Sequence, residues 1–144
     1  MKYVLSVFLL LIIVACTEKP KAIVHIDKNL TLPITCMKLN TIGVEKEFAE
    51  TLRSLYAYDT SCPLSLNISY KKNIVCNSSY NSMAKSTGKF PKSFLKLELR
   101  KGLKVQYSYY VDLLDNVESE DVKEGFSRLK SDILVSKLPK SKKE

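Results

Sequence analysis

The residues able to do chemistry in this 144-residue chain are few: Cys16, Cys36, Cys62 and Cys76, one histidine, His25, and a scatter of acids. Their spacing excludes most catalytic and metal designs. No Cys-x-x-Cys, His-x-x-x-His, glycine-rich phosphate loop or nucleophile-elbow pattern occurs, and four glycines leave little room for such loops. A histidine-dependent triad would rest on His25, which stands ahead of the recognisable core. Acidic pairs such as Glu118 and Glu120 open an amphipathic segment, where carboxylates offset the positive end of a helix dipole without a general-acid role. We expect no enzyme, no cofactor and no resident metal.

Cys16 is set apart by what precedes it. Lys2 leads an apolar run from Val4 to Val14, broken only by Ser6, and small Ala15 stands directly before the cysteine. This is the form of a secretory signal, too short at its apolar centre to span a bilayer comfortably. The run Ile13-Val14-Ala15-Cys16 resembles the bacterial lipobox. That resemblance covers only the leader. It implies diacylglycerol on the Cys16 sulfur, cleavage before Cys16, and an acyl chain such as palmitate on the new amino terminus. Two or three acyl chains make a stable membrane anchor. Thr17 stands where the inner-membrane retention signal has Asp, so the resemblance points to the outer membrane of a diderm bacterium, with the domain facing the periplasm.

With Cys16 so used, Cys36, Cys62 and Cys76 remain in a compartment where disulfides form, which allows one pair and one leftover. If Leu64 to Cys76 turns back at Lys71-Lys72-Asn73 as a hairpin, Cys62 meets Cys76. If the stretch is one extended strand, about 3.3 Å per residue separates those two, and Cys36 must take one of them. A parallel crossover from the first strand to the second would bring Cys36 to Cys62. Both pairings stay open.

The organisation expected is a cleaved leader over 1–15, an anchor, tether and short edge strand over 16–32, a single α+β domain over 33–138, and a flexible basic tail over 139–144. Net charge is +8. For an exported chain the anionic partners are phospholipid headgroups, lipopolysaccharide phosphates and cell-wall carboxylates, not nucleic acid. Asn29 begins an Asn-x-Thr triplet with Asp27 two residues before it, which resembles the extended sequon of bacterial oligosaccharyltransferases; simpler triplets begin at Asn67 and Asn77.

The elements follow from periodicity. Ala22 to Ile26 suits a short edge strand, and Pro33 to Asn40, apolar on both parities, a strand inside a sheet. Val44, Phe48, Leu52 and Leu55 form one helical stripe ending near Ala57; Val122, Phe126, Leu129 and Ile133 form a second, begun near Ser119. Gly125 lies beside that second stripe, where it permits close approach to a sheet. Leu64, Leu66, Ile68 and Tyr70 alternate with polar residues as a half-buried strand. A hairpin follows, and a three-residue loop Arg100-Lys101-Gly102 would set Leu99 opposite Leu103, Leu97 opposite Val105 and Leu95 opposite Tyr107, with Glu98 facing Lys104. The polar stretch Asn77 to Lys89 is a surface loop. The sum is an α+β fold, a mostly antiparallel sheet of four to five strands with two amphipathic helices on one face.

The strand-helix-strands-helix order on a lipid anchor, with a tyrosine-bearing strand after Gly102, resembles the small lipoproteins that plug the lipopolysaccharide-export barrel. The resemblance spans about Pro33 to Leu138, although this chain is shorter and lacks a strand. It implies an adaptor or assembly role for an outer-membrane component, with an outer-membrane protein or lipopolysaccharide as partner. Tyr107, Tyr109 and Tyr110 are the interface candidates, but Tyr107 and Tyr109, on the apolar parity, are more simply core residues, and Tyr110, on the opposite parity, is the better one. The rival readings are a carrier of a small amphiphile and a surface-structural protein held by lipid and the basic tail.

Overall fold

The computed structural model describes residues 20–75 and 90–134. Within them the order is β1 (Ile23–Ile26), β2 (Lys38–Asn40), α1 (Lys46–Leu55), β3 (Leu64–Lys71), β4 (Ser93–Lys101), β5 (Lys104–Leu113) and α2 (Ser119–Leu129), which runs on into a π-helical turn, Lys130–Leu134. The strands form one sheet in the order β1-β5-β4-β3-β2. All neighbours are antiparallel except β2 and β3. The α+β fold expected from periodicity is the one that forms, and β1 belongs to its sheet, so the folded unit begins ahead of Pro33.

Alternation explains which face is buried. Register places Leu66, Leu99 and Tyr107 in one row across three strands and Ile68, Leu97 and Tyr109 in the next. All six are buried, and Phe48 and Leu52 of α1 with Val122, Phe126 and Leu129 of α2 close over them. Gly125 is the point of closest approach: a Cβ there would lie 2.9 Å from Tyr109 Cε1. Glu118 caps α2 reciprocally, its carboxylate accepting from the first-turn backbone while its own N–H donates to Asp121 at 2.8 Å. α1 stops at Leu55, slightly short of Ala57.

The structure departs from the expected hairpin. Its loop is Gly102-Leu103, with Lys101 opposite Lys104, Arg100 opposite Val105, and Leu99 opposite Tyr107 after a bulge at Gln106. Gly102, at φ 59°, takes the first loop position, where a type II′ turn asks for glycine. The extra residue restores parity, so Tyr107, Tyr109, Val111 and Leu113 still face the core while Leu103 is pushed out to the tip, 94% exposed. Glu98 consequently faces Ser108, and Lys104 pairs with Asp27 at 2.8 Å.

The stretch Pro33 to Asn40 is a strand only over its last three residues. Its earlier backbone bonds elsewhere: Ile34 N–H donates to Ile133 and Met37 C=O accepts from Asp59. β3 ends at Lys71, and Asn73 turns the chain at φ 54°. Ile74 N–H then donates to Lys92 C=O instead of returning along β3 as a hairpin arm. The parallel β2–β3 pairing carries the disulfide Cys36–Cys62, Cα atoms 6.0 Å apart, so the crossover pairing is the one realised. Cys16, Cys76, the stretch Asn77 to Lys89 and the basic tail lie outside the described residues.

Candidate functional site

The helices cover one face of the sheet, and the residues of opposite parity make the other. At its centre is Glu98, buried although it belongs to the open face. Lys96 and Arg100, two residues to either side on β4, converge on its carboxylate, Arg100 through Nε at 3.0 Å and Nη2 at 2.7 Å. Burial raises the Glu98 pKa, but these two cations outweigh it and hold the carboxyl below its ordinary value. The triad locks a charged ridge along β4.

Toward the end where β5 finishes, the ring of Phe94 stacks on Tyr110, centroids 5.7 Å apart. The Tyr110 hydroxyl donates to Asp112 Oδ1 at 2.7 Å, and that carboxylate raises its pKa. Lys71 lies opposite Phe94, and exposed Ile23 of β1 lies opposite Tyr110. The chain enters at this end on the helix side, where Pro20 lines a small cleft with Tyr109, Val111, Leu113, Asp121 and Glu124. We term this the tether end.

At the hairpin end a groove of about 560 Å³ runs from β2 to the turn, lined by Lys38, Asn40, Ile42, Asn67, Arg100 and Gly102 among others. Asn40 Nδ2 donates to Asn67 Oδ1 at 2.8 Å, and Asn67 Nδ2 donates to Ser65 C=O, so these amides brace the groove floor. Ile42 in its lining is 89% exposed, and Leu103, which follows Gly102 in the turn, is 94% exposed. A smaller cleft of about 280 Å³, lined partly by Leu30, Ile34, Leu64 and Gln106, lies beside it.

The structure sorts the residues singled out from the sequence. Of the three tyrosines, Tyr107 and Tyr109 take the core reading and not the interface one: both are buried on the core face. The Tyr107 hydroxyl donates to Asp132 at 3.2 Å, and Arg128 donates to the same carboxylate oxygen at 2.9 Å. Burial first, and the Asp132 charge second, push the Tyr107 pKa up. Tyr110 is half-buried on the open face, as its parity implied. Asn29 is exposed in a turn that Asp27 caps, accepting from Asn29 N–H at 2.7 Å, so the acidic residue of the triplet also has a local structural task. His25 is exposed opposite Ser108. Sequence reasoning passed over the Lys96-Glu98-Arg100 triad and Phe94, although their shared parity on β4 was the available signal. Nothing local to either residue announces the Tyr107–Asp132 bond.

Among the described residues no group of three or more His, Cys, Asp or Glu is placed to hold a metal, and no helix is long and apolar enough to cross a membrane. No protein-family model, no curated protein and no solved structure matches this chain.

Proposed function

We propose that the protein is a lipid-anchored, non-enzymatic lipoprotein of the bacterial envelope that acts as an adaptor, holding an acidic partner protein at the hairpin end of its open sheet face. The observation that carries this reading is Ile42, 89% exposed, in a groove that Lys38, Arg100 and Gly102 also line, with Leu103, 94% exposed, next to Gly102 in the hairpin turn. Apolar side chains displayed over a cationic border fit a partner that offers an apolar contact within an acidic rim. The lipobox-like leader supplies the anchor in this reading. β5 rises about 3.3 Å per residue, which sets Leu103 on the order of 30 Å from the tether end and gives a membrane-held domain the reach to present it.

A photo-crosslinking residue at position 103 of the full-length chain, expressed in a diderm bacterium, tests this. One defined envelope protein should dominate the adducts, and Ile42→Asp should reduce that adduct at least about fivefold. An anchored protein that yields no protein adduct above background would overturn the adaptor role.

A further inference from the structure

The sheet has two edges, and they differ in kind. β2 is three residues long and carries Lys38. Short strands and lysines are the usual means of keeping an edge from pairing. β1, at the other edge, is Ile23-Val24-His25-Ile26, with no proline, lysine or bulge. Its backbone directions follow from one bond. Asp27 N–H donates to Gln106 C=O at 2.8 Å, so alternation turns the N–H and C=O of Ile23 and His25 toward β5 and those of Val24 and Ile26 away from it. Ala22, one step back on the same parity, also faces outward. Among the described residues no other backbone group bonds to these outward ones.

The residues around this edge are self-complementary. In Lys21-Ala22-Ile23-Val24-His25-Ile26-Asp27 the ends are of opposite sign and the even positions are all apolar. A second copy laid antiparallel about Val24 sets Ala22 against Ile26 and Val24 against Val24 on the helix side, where all three already pack partly on the core. On the open side it sets Ile23, 65% exposed, against His25, and exposed Lys21 against Asp27. Lys104 at 2.8 Å and the Asn29 N–H already fix that carboxylate, so the incoming lysine meets a preset acceptor.

Symmetry and parity leave few alternatives. A two-fold axis normal to the sheet keeps each face on its own side, so only registers centred on a residue are allowed. Centring on His25 sets Ile23 against Asp27 and loses the outward groups of Ala22 to the turn after Asp27. Centring on Ile23 sets Lys21 against His25 and Ile26 against Pro20, which has no N–H to give. The Val24 register alone uses the outward groups of Ala22, Val24 and Ile26 in three hydrogen-bonded pairs.

We propose that two copies of this chain join through β1 in that register, making one continuous sheet across a two-fold axis at Val24. The pairing is independent of the anchor, and it leaves the groove beside β2, at the far edge of the sheet, open to another partner.

Ile23→Cys and His25→Cys, each with Cys76→Ser and with tags of different length, are purified as full-length chains in mild detergent, mixed at micromolar concentration and oxidised with copper phenanthroline. In the proposed register the two positions form a non-hydrogen-bonded pair with Cα atoms about 4.5 Å apart, within reach of a disulfide. Like positions lie on the diagonal, about 7–8 Å apart and beyond that reach. The mixed disulfide, counted above whatever the Cys76→Ser parent forms, should therefore exceed either like-with-like product at least about fivefold. Val24→Pro in both chains removes an outward donor without touching the β5 ladder and should abolish the mixed product. Lys21→Glu, at an exposed position, should reduce it at least about threefold while the circular dichroism of the domain stays that of the parent. No mixed product from folded chains, or mixed and like products in statistical proportion, would overturn the pairing. A mixed product unchanged by both Val24→Pro and Lys21→Glu would overturn it as well.

Discussion

Tyr58 shows how a single hydroxyl can oppose the fold that contains it. Its oxygen is buried with no hydrogen-bond partner among the described residues, and burial pushes its pKa up. An unsatisfied buried hydroxyl costs about 1–3 kcal/mol, so Tyr58→Phe should stabilise the domain by about 1 kcal/mol, read as a higher denaturant midpoint at unchanged slope. A destabilised variant would show that the hydroxyl finds a partner in solution. Tyr107 is the counter-case. Its hydroxyl bonds Asp132, which Arg128 also holds, and Tyr107→Phe should cost about 1–2 kcal/mol by the same measurement. The sequence identifies neither outcome, because both hydroxyls are met or left unmet by residues that the chain brings in from elsewhere.

At the scale of elements, parity and period were legible and chain length within a turn was not. Two helical stripes and the alternation of β3 appear where periodicity places them, because each buries a face that no other arrangement would hide. The hairpin register failed for two reasons: the turn falls at Gly102-Leu103 and not at Arg100-Lys101-Gly102, which moves every partner by three, and the inserted Gln106 moves those beyond it by one more. Leu103, read as a core residue, is therefore the most exposed large apolar side chain among the described residues. Gly125 tests the packing of α2 on the sheet. Alanine would gain about 1 kcal/mol of helix propensity, yet its Cβ would press on a buried Tyr109 ring and on Leu97. Gly125→Ala should come out net destabilising by about 1–2 kcal/mol, and a gain in stability would mean the helix stands further off than described. The β2–β3 pairing makes a parallel prediction for the disulfide. Cys36 and Cys62 close a loop of separation 26, for which chain-entropy estimates give about 3.5 kcal/mol. Cys36→Ser, or reduction of the intact protein, should lower the unfolding free energy by about 2–4 kcal/mol, whereas Cys76→Ser should leave the denaturant midpoint close to that of the parent.

For the whole molecule, the perturbed groups bound a working range of pH. Asp27, held by Lys104 and its turn, Asp59, held by Ser61, and Glu98, whose cations outweigh its burial, all titrate below their ordinary values of 3.8, 3.8 and 4.5. Each contributes stability that is complete above those values and is lost as pH falls through the lower folded ones. Tyr58 and Tyr107 titrate above their ordinary 10.0, so their contribution is complete below that pH and fades as it rises. Unfolding followed by circular dichroism should therefore show a plateau between about pH 5 and pH 9 with a decline on both sides. A maximum near pH 3 would contradict the described pairings. What stays beyond composition and pattern at this scale is the sidedness of charge. Most lysines are scattered along the chain, and only the fold shows their partners: Lys72 meets Glu45 and Lys123 meets Glu120 on the helix side, while Lys96 meets Glu98 on the open face.

The bulge at Gln106 also bears on how such a chain can change its length over its history. Val105 already faces Arg100 and Tyr107 already faces Leu99, so removing Gln106 would leave a regular two-stranded ribbon with every core tyrosine still inward. The hairpin does not depend on that residue for its own pairing. What the residue adds is a carbonyl that accepts the Asp27 N–H at 2.8 Å and fastens the exit of β1. A variant lacking Gln106 should fold, with amide exchange accelerated at Asp27 and Ile26 and little changed in β3 and β4. By this reading a one-residue deletion, ordinarily among the harshest changes a sheet can suffer, falls at the one place in the hairpin where the ladder already has a residue to spare.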